Sequence, residues 1–315
     1  MLRVSMALGN SDRVAPLKDG TVKFDGFEAA IETVSPLVLF RRTVEEATYD
    51  VAEMSASTYT NWVARGDCPY VGLPVFTARA FPQSSIFVAD GIEEPAALRG
   101  GTVGVFPEYQ ITTATMVRGL LTHEYDLPPE ELSWVTARAE KLPIDPSNGV
   151  ELHVAPPETN LETLLAAGEL DALITPFTPE KLGDGISRLF PSPKVAAKAY
   201  YEQTGIFPVI RLLVCKRSVY ERHPWVVTAL FDAFTEAKSV AQERLTSMTL
   251  PPVMLPWLDD HVAETQAALG EDYWPYGLAA NYPSLKAFVE YSHEQGLAAK
   301  PVAPEDLFAA EFHDR

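Results

Sequence analysis

The chain has 315 residues, of which 47% are hydrophobic and 22% are charged, a globular composition with enough length for two domains. Its formal net charge of -18 argues against nucleic acid and membrane surfaces as partners, because both are anionic. A small anionic ligand still fits this charge where basic side chains gather locally.

The first residues, MLRVSMALG, bear on the cellular compartment of the protein. They hold one basic residue and a short apolar run, which is typical of a first strand and not of a signal peptide. No apolar stretch approaches the roughly 18 residues that cross a bilayer. Cys68 and Cys215 are far apart in the sequence and are expected to be buried thiols. These features predict a cytoplasmic protein.

Short apolar runs alternate with longer amphipathic ones in the first hundred residues, which is the pattern of an α/β fold. A helix begins at Pro36 and another ends at Gly66, since proline suits a first helical turn and glycine a helix end. The predicted elements are, in chain order, LRVSMAL, FEAAIETV, VLFRRTVEEA, DVAEMSA, STYTNWVARG, YVGLPVF and SSIFVAD. The strands among them are expected to form a first sheet that SSIFVAD completes.

A second unit begins after Gly100 and Gly101. Its predicted strands and helices are TVGVF, ITTATMVRGLLTHEY, WVTA, VELHVA, NLETLLAAGELDA and ALITP, followed by the strand IFPVIRLLVC and a long helical region. This layout predicts a lobe at residues 101–204 that is inserted into a first lobe built from residues 1–100 and 205–315. The two chain crossings then act as a hinge beside a central ligand cleft.

Ligands of open α/β sheets bind beyond the carboxyl ends of the strands, where loops lead into helices. The first such loop, GNSDR, offers Asn10, Asp12 and Arg13 to a ligand, although these residue types also favour an ordinary polar turn. The second, EMSAS, offers Glu53, Ser55 and Ser57. The serines either bind a ligand or cap the following helix. Glu53 is harder to explain structurally, because a carboxylate at a strand end needs solvent, a partner or a chemical role.

Two further loops carry groups that suit an aromatic acid. TARAFPQSS brings Arg79 together with Phe81, Ser84 and Ser85, and an arginine fork grips a carboxylate while an aromatic ring stacks on a flat ligand. The alternative for Arg79 is a surface position. FPEYQITT carries the candidates Glu108, Tyr109, Gln110, Thr112 and Thr113. Two helix N-termini that face each other across a cleft, one after EMSAS and one after FPEYQITT, suit a dianion.

Several common chemistries lack their motifs. The chain has no HExxH, no GxSxG, no Walker loop and no paired CxxC, and the glycines of GGTVG precede a strand where a dinucleotide fingerprint needs them after one. No organic cofactor is predicted. No spacing of acidic side chains identifies a metal site, and the sequence leaves a divalent metal open.

A joint set of segments resembles a known family. The segments LGNSDRVAPL, DVAEMSASTY, PVFTARAFPQSSIFV, PEYQITTA, YYEQTGIFPVI, YERHPWV and DYWPYGL, in this order, are similar to 4,5-dihydroxyphthalate decarboxylase and its relatives. The resemblance runs from Leu2 to about Phe308. It implies a type II periplasmic-binding-protein fold and a carboxy-lyase that converts 4,5-dihydroxyphthalate to 3,4-dihydroxybenzoate and CO2 in phthalate degradation, without an organic cofactor. The expected partner is a small anionic aromatic substrate, and a homo-oligomer is compatible with it.

The implied reaction suggests roles for the candidate residues. We expect Arg13 and Arg79 to bind carboxylates and Glu53 and Glu108 to act as general acid or base, since burial favours the protonated form of a carboxyl group. Ser84, Ser85 and Thr112 are expected to donate hydrogen bonds to the substrate. Phe207 is expected to contact the substrate.

Arg211 marks a departure from the family pattern. The chain reads FPVIR where FPIMH is expected in relatives, so Arg211 stands in the place of a histidine. It is a candidate for a catalytic role or for a second carboxylate clamp, and a structural arginine on a strand is equally compatible with the sequence. Because this fold mostly serves binding proteins, the alternative functions are a non-catalytic solute-binding protein for a small aromatic or carboxylate ligand and a ligand-sensing regulatory domain.

Overall fold

The computed structural model describes residues 1–146, 149–247 and 252–314, apart from the side chains of residues 36, 37, 40 and 41. It contains two β-sheets with helices packed around them, in agreement with the predicted α/β class. The first sheet has the strand order β2 (Phe27–Thr33), β1 (Leu2–Leu8), β3 (Val51–Ser55), β11 (Val209–Lys216) and β4 (Tyr70–Arg79). Strand β1 is parallel to β2 and β3, whereas β11 is antiparallel to β3 and β4. Strands β1, β3 and β4 therefore end at the same edge of the sheet.

The second sheet is mainly parallel. Its strand order is β10 (Ile186–Arg188), β5 (Ile86–Ala89), β9 (Ala172–Ile174), β6 (Thr102–Val105), β7 (Ser133–Thr136) and β8 (Glu151–Val154). Strands β9, β6, β7 and β8 run parallel, and β5 and β10 are added in antiparallel pairings. The carboxyl ends of the parallel strands meet at one edge, where ligands of such sheets bind.

The helices lie between and after these strands. They are α1 (Ala15–Lys18), α2 (Pro36–Val44), α3 (Ala56–Arg65), α4 (Thr112–Tyr125), α5 (Leu161–Ala166), α6 (Pro193–Thr204), α7 (Arg217–Arg222), α8 (Trp225–Leu245), α9 (Leu258–Leu269) and α10 (Tyr282–Glu294). Helix α3 ends at Gly66, whose φ of 85° lies in the left-handed region that glycine adopts without strain. This end is where the sequence predicts it.

One strand belongs to a different sheet from the one predicted. The segment SSIFVAD was expected to complete the first sheet, but β5 pairs with β9 of the second sheet, with Ile86 opposite Ile174. Ile86, Phe87 and Val88 are all buried, so an apolar run of this kind suits the interior of either sheet and does not reveal its partner. The chain thus leaves the first sheet after Arg79. The lobe boundaries at residues 101 and 204 stay a prediction.

The two sheets are joined by a common hydrophobic core. A continuous cluster of buried apolar side chains includes Met6 of β1 and Val103 of β6. Helix α10, near the carboxyl terminus, packs closely against α4 of the second unit, because a Cβ on Gly119 would lie 2.1 Å from the Tyr291 ring. Gln295 then donates to the Thr115 carbonyl at 3.0 Å. These contacts fix the position of α4, whose first turn lies at the site described next.

Candidate active site in the cleft between the sheets

A cavity of about 370 Å³ lies between the two sheets. Glu53, Ser55 and Arg211 line it from the first sheet, and the β6–α4 loop with Glu108 and the loop with Lys141 line it from the second. Apolar side chains of both units form most of the remaining wall. Two carboxylates and two cations thus face one largely apolar space, which is the kind of environment that strengthens electrostatic interactions with a ligand.

Glu53 and Arg211 are held side by side by neighbouring antiparallel strands. The pairing of β3 with β11 sets Arg211 opposite Ser55, two residues from Glu53. Arg211 Nη1 lies 3.7 Å from Glu53 Oε2, and the Glu53 side chain is 4% exposed while that of Arg211 is 30% exposed. Glu53 Oε1 also accepts the Gly9 N–H at 2.9 Å. A Cβ on residue 9 would lie 3.2 Å from Glu53 Oε2, so glycine at this position allows the close approach.

Glu108 and Lys141 form the second pair. Lys141 Nζ lies 3.4 Å from Glu108 Oε1, and the Glu108 side chain is 7% exposed. Across the described parts of the chain, Glu108 Oε1 has no hydrogen-bond partner. Glu108 is therefore buried, and its Oε1, which accepts no hydrogen bond among the described residues, faces the Lys141 cation.

The loop that carries Glu108 is fixed by a third carboxylate. Glu140 accepts the backbone N–H of Tyr109 at 2.5 Å and that of Gln110 at 3.2 Å. Burial raises the pKa of Glu140, although its hydrogen bonds to these amides act in the opposite direction. Glu140 positions the start of α4 and the Glu108 side chain just before it.

Hydroxyl groups join the first turns of α3 and α4. Ser55 Oγ and Thr112 Oγ1 are 2.8 Å apart, and the Ser57 N–H donates to Thr112 Oγ1 at 3.0 Å. One turn further along α3, Asn61 Nδ2 donates to Gln110 Oε1 at 2.9 Å. The N-termini of α3 and α4 do meet, but some of their polar groups hydrogen-bond to each other and so join the two units. Ser55 and Thr112 still line the cavity, together with Gln110 and Thr113.

The two terminal nitrogens of Arg79 donate to protein atoms, whereas its Nε has no hydrogen-bond partner among the described residues. Its Nη1 donates to the Phe207 carbonyl at 2.8 Å, and its Nη2 donates to the Pro275 carbonyl at 3.0 Å and to Asn281 Oδ1. The guanidinium also lies over the Phe76 ring. Burial lowers the pKa of Arg79 to about 9, although the nearby Tyr276 and Asp272 act in the opposite direction.

The rest of the TARAFPQSS loop lies away from the cleft cavity. Arg79, Phe81, Ser84 and Phe207 line a separate cavity of about 590 Å³, where the Phe81 and Phe207 rings stack with centroids 4.8 Å apart. The backbone of Ser85 pairs with Thr175. Contrary to the expectation of four loops around one cleft, the structure separates this loop from Glu53 and Glu108.

The GNSDR loop also differs from its predicted role. Asn10 and Asp12 are exposed. Arg13 Nε donates to the Thr77 carbonyl at 2.9 Å, and Arg13 Nη1 pairs with Asp12 Oδ1 at 2.9 Å. The Arg13 guanidinium lies 4.4 Å from the centre of the Trp274 ring. This arginine holds neighbouring segments together, and the loop reaches the cavity only through the Gly9 contact to Glu53.

Tyr109 is a core residue although its neighbours in the loop face the cleft. Its ring is fully buried, with the Arg118 guanidinium 3.6 Å from its centre and the Trp134 ring packed edge-on at 5.4 Å. Lys141 is the residue that the sequence prediction missed. Its signal was its position, since it follows β7 at the carboxyl edge of the parallel sheet.

Two structural absences concern the described residues. Within residues 1–146, 149–247 and 252–314, no group of three or more His, Cys, Asp or Glu side chains could hold a metal ion. In the same ranges, no helix is long and apolar enough to cross a membrane. Cys68 and Cys215 are both buried and free.

No family model matches the chain. Its fold is similar to that of solved solute-binding proteins. The periplasmic aliphatic sulphonate binding protein of Escherichia coli is 13% identical, with 98% of this chain and 92% of that chain covered and a TM-score of 0.54. The alkanesulfonate-binding protein of Xanthomonas axonopodis pv. citri, bound to MOPS, is 12% identical, with 98% of each chain covered and a TM-score of 0.54. The fold and the cleft thus define a two-lobed α/β protein of the type II periplasmic-binding-protein class, as predicted.

Within that class, the chain belongs to the 4,5-dihydroxyphthalate decarboxylase family. It is 37% identical over 318 residues to the 4,5-dihydroxyphthalate decarboxylase of Comamonas testosteroni, with 98% of this chain and 96% of that protein covered. It is also 37% identical over 211 residues to the 4,5-dihydroxyphthalate decarboxylase of Pseudomonas putida, with 64% of this chain and 81% of that protein covered. The family predicted from the joint segments is confirmed, and it is a family of enzymes.

Proposed function

We propose that the chain is a non-oxidative carboxy-lyase that removes one carboxylate as CO2 from a dihydroxylated aromatic dicarboxylate. Its proposed substrate is 4,5-dihydroxyphthalate and its product 3,4-dihydroxybenzoate, in line with the names of its relatives. The observation that carries this proposal is the presence of two buried carboxylates, each beside a cation, on opposite sides of one largely apolar cavity.

The chemistry of decarboxylation explains why two carboxylates and two cations are useful in one cavity. Direct loss of CO2 would leave an aryl anion of very high energy, so the carboxyl-bearing carbon should accept a proton first. A hydroxyl para to that carbon gives up its proton to a base and sends electron density to the carbon. The bond to the carboxylate then breaks, its electron pair restores the aromatic ring, CO2 leaves, and the base returns its proton to the phenolate oxygen. The site needs a proton donor, a hydrogen-bond acceptor for the phenol and cations for the carboxylates.

Glu108 is our proton donor and Glu53 our acceptor for the phenol. Glu53 receives the Gly9 N–H and faces Arg211, and both contacts are made to a charged carboxylate. Glu108 lines the cavity from the unit opposite Glu53, and we assign it the proton that is delivered to the substrate. The overall balance consumes one proton for each CO2 released, and solvent returns that proton to Glu108.

Lys141, beside Glu108, is our carboxylate-binding residue, because the two carboxylates of 4,5-dihydroxyphthalate lie on neighbouring ring carbons. Arg211, beside Glu53, is our cation for the hydroxyl edge on the opposite side of the ring, where it would stabilise the phenolate. Ser55 and Thr112 then supply hydroxyl groups at the meeting point of the two helices. Arg79 and Arg13 were expected in this role, but their N–H groups are largely occupied by backbone oxygens.

The test is turnover by the purified protein. We expect CO2 release and formation of 3,4-dihydroxybenzoate from 4,5-dihydroxyphthalate, measured with and without a chelator because a divalent metal is left open. Phthalate, which lacks the para hydroxyl, should bind without reacting. Equal reaction of both compounds, or of neither, would contradict the proposed role of the hydroxyl.

A solute-binding protein is the second candidate, and the likeness to sulphonate-binding proteins is the observation that favours it. Tight binding of 4,5-dihydroxyphthalate with no CO2 release, with and without added divalent metal, would select this alternative. The predicted cytoplasmic location and homo-oligomer remain predictions, which cell fractionation and light scattering would test.

A further inference from the structure

Two phenylalanines separate the cleft cavity from a larger neighbouring space. Phe106 and Phe177 line both the cavity of about 370 Å³ and a second cavity of about 790 Å³ in the second unit. Their rings meet edge to face, with centroids 6.1 Å apart and an interplanar angle of 65°. This pair is therefore a shared wall between the two spaces.

Phe177 is unusually placed for a large apolar ring. It is 61% exposed, whereas Phe106 is half-buried. It lies in the loop after β9, a central strand of the second sheet, and its N–H donates to Thr175 Oγ1 at 3.2 Å. The loop thus holds the ring at the carboxyl edge of the parallel strands, where a ligand of such a sheet would cover it.

The cavity beyond this wall offers room for a substituent. It lies at the carboxyl ends of β6, β7, β8 and β9, and its lining includes Arg138, Val154, Asn160 and Thr178. A ring bound beside Phe106 and Phe177 has the charged side chains of the cleft at its edges. Any bulky group on that ring would have to pass the phenyl group of Phe177 to reach the larger space.

We propose that Phe177 is a specificity-determining residue, which packs on the aromatic ring of the substrate and limits the size of the ring substituents that the cleft accepts. This inference rests on the proposed function, because it assumes an aromatic acid in the cleft. Aromatic pairs prefer edge-to-face or offset stacking, and the Phe106–Phe177 pair provides both an edge and a face for such contacts. Removal of the Phe177 ring would join the two cavities.

The experiment compares Phe177→Ala with Phe177→Tyr and with the control Val154→Ala. Val154 is 53% exposed and lines the larger cavity but not the cleft cavity. For Phe177→Ala we expect KM for 4,5-dihydroxyphthalate to rise about tenfold, the upper range for the loss of an aromatic pair, with a smaller change in kcat. The same variant should gain turnover of an analogue that carries a phenyl substituent on the ring. Phe177→Tyr keeps an aromatic ring and should recover most of the affinity that Phe177→Ala loses, whereas Val154→Ala should behave like the wild type.

Binding measurements keep this test separate from the proposed function. The dissociation constant of phthalate, an unreactive ligand, is measured by calorimetry for the wild type and each variant. A wild type that binds but does not release CO2 would overturn the proposed function, and the calorimetry would still decide the role of Phe177. Unchanged phthalate affinity in Phe177→Ala, or failure of that variant to bind the phenyl-substituted analogue any better than the wild type, would overturn the inference.

Discussion

Arg211 and Arg79 differ in how many of their N–H groups remain for a ligand. In the cleft, Arg211 stands 3.7 Å from Glu53 and is 30% exposed toward the cavity. At the same edge of the sheet, on the neighbouring strand β4, Arg79 is almost fully buried, and backbone oxygens of Phe207 and Pro275 accept its N–H groups. Both residues look like carboxylate clamps in the sequence. Hydrogen-bond capacity that is already used stabilises the fold, and capacity that is still open can bind a substrate.

The same contrast applies to the carboxylates. Glu140 uses its oxygens for two backbone amides and so supports a loop, whereas Glu108 lines the cavity and pairs with Lys141, which lines it too. If this distinction is correct, changes on the cleft side should affect kinetics directly. Changes on the supporting side should affect stability, as at Arg79, or the position of a cleft residue, as at Glu140. The following substitutions test it.

Glu108→Gln should have the largest effect. The amide keeps the size of the side chain but cannot deliver a proton, so we expect kcat to fall by about 100-fold or more, within the range for loss of a general acid. The melting temperature should stay close to that of the wild type. Glu169→Gln, at an exposed position, is the matched control. A Glu108→Gln variant with near-normal kcat would remove Glu108 from the mechanism.

Arg79→Met should act on stability instead. It removes the donor of the Phe207 carbonyl and of Asn281 Oδ1, whereas the Pro275 carbonyl keeps the Asn281 Nδ2 donor. Because one buried unsatisfied polar group costs about 1 to 3 kcal/mol, we expect the free energy of unfolding to fall by about 2 kcal/mol or more. Denaturant unfolding measures this loss, and the exposed Arg138→Met serves as control. A stable variant with a strongly raised KM would instead place Arg79 in the substrate site.

Arg211→Met should weaken substrate binding with little effect on stability. The loss of a charge-assisted contact of about 1.5 to 3 kcal/mol corresponds to a rise in KM of about 10- to 100-fold. Arg211→His restores the residue type expected in relatives, and steady-state kinetics of both variants would show whether a cation or a proton donor is needed here. If Arg211→Met leaves KM and kcat unchanged, the arginine is structural.

Two of the candidates predicted from strand ends line the cavity, and their roles stay a prediction. Glu53 lies two residues before the end of β3, and Glu108 lies in the loop that follows β6, so both are near the carboxyl edges of their sheets. Arg79 lies at the same edge as Ser55, because both are register neighbours of the start of β11. What the sequence could not show is that its guanidinium turns toward Pro275 and Asn281, nearly 200 residues further along the chain.

The wrong sheet for β5 and the omission of Lys141 both arise from contacts between segments that are distant in the sequence. Strand β5 is apolar on both faces, so its pattern fits either sheet, and only the pairing with β9 decides which one. Lys141 reaches Glu108 because the loop after β7 folds back toward the β6–α4 loop, a contact between segments about thirty residues apart. Neither hydrophobic periodicity nor a local motif encodes such contacts.

Glu140→Gln should have the smallest effect and should appear in the pH profile. Burial raises the pKa of Glu140, so its carboxylate takes up a proton at a higher pH than an ordinary glutamate does. The protonated form is a poorer acceptor for the amides of Tyr109 and Gln110, and the loop that carries Glu108 should lose its position. We therefore expect kcat/KM to fall as the pH decreases through this range, with a shallower acid limb in Glu140→Gln.

The pH dependence of stability distinguishes this loss of activity from a loss caused by unfolding. A carboxyl group whose pKa is raised in the folded protein contributes its stability below its unfolded pKa and loses it as the pH rises through its folded pKa. Protonation of Glu140 should thus lower activity without favouring the unfolded state. Parallel pH profiles of kcat/KM and melting temperature measure the two effects. An acid limb that is identical in the wild type and Glu140→Gln, or that follows the melting temperature, would show that Glu140 does not position Glu108.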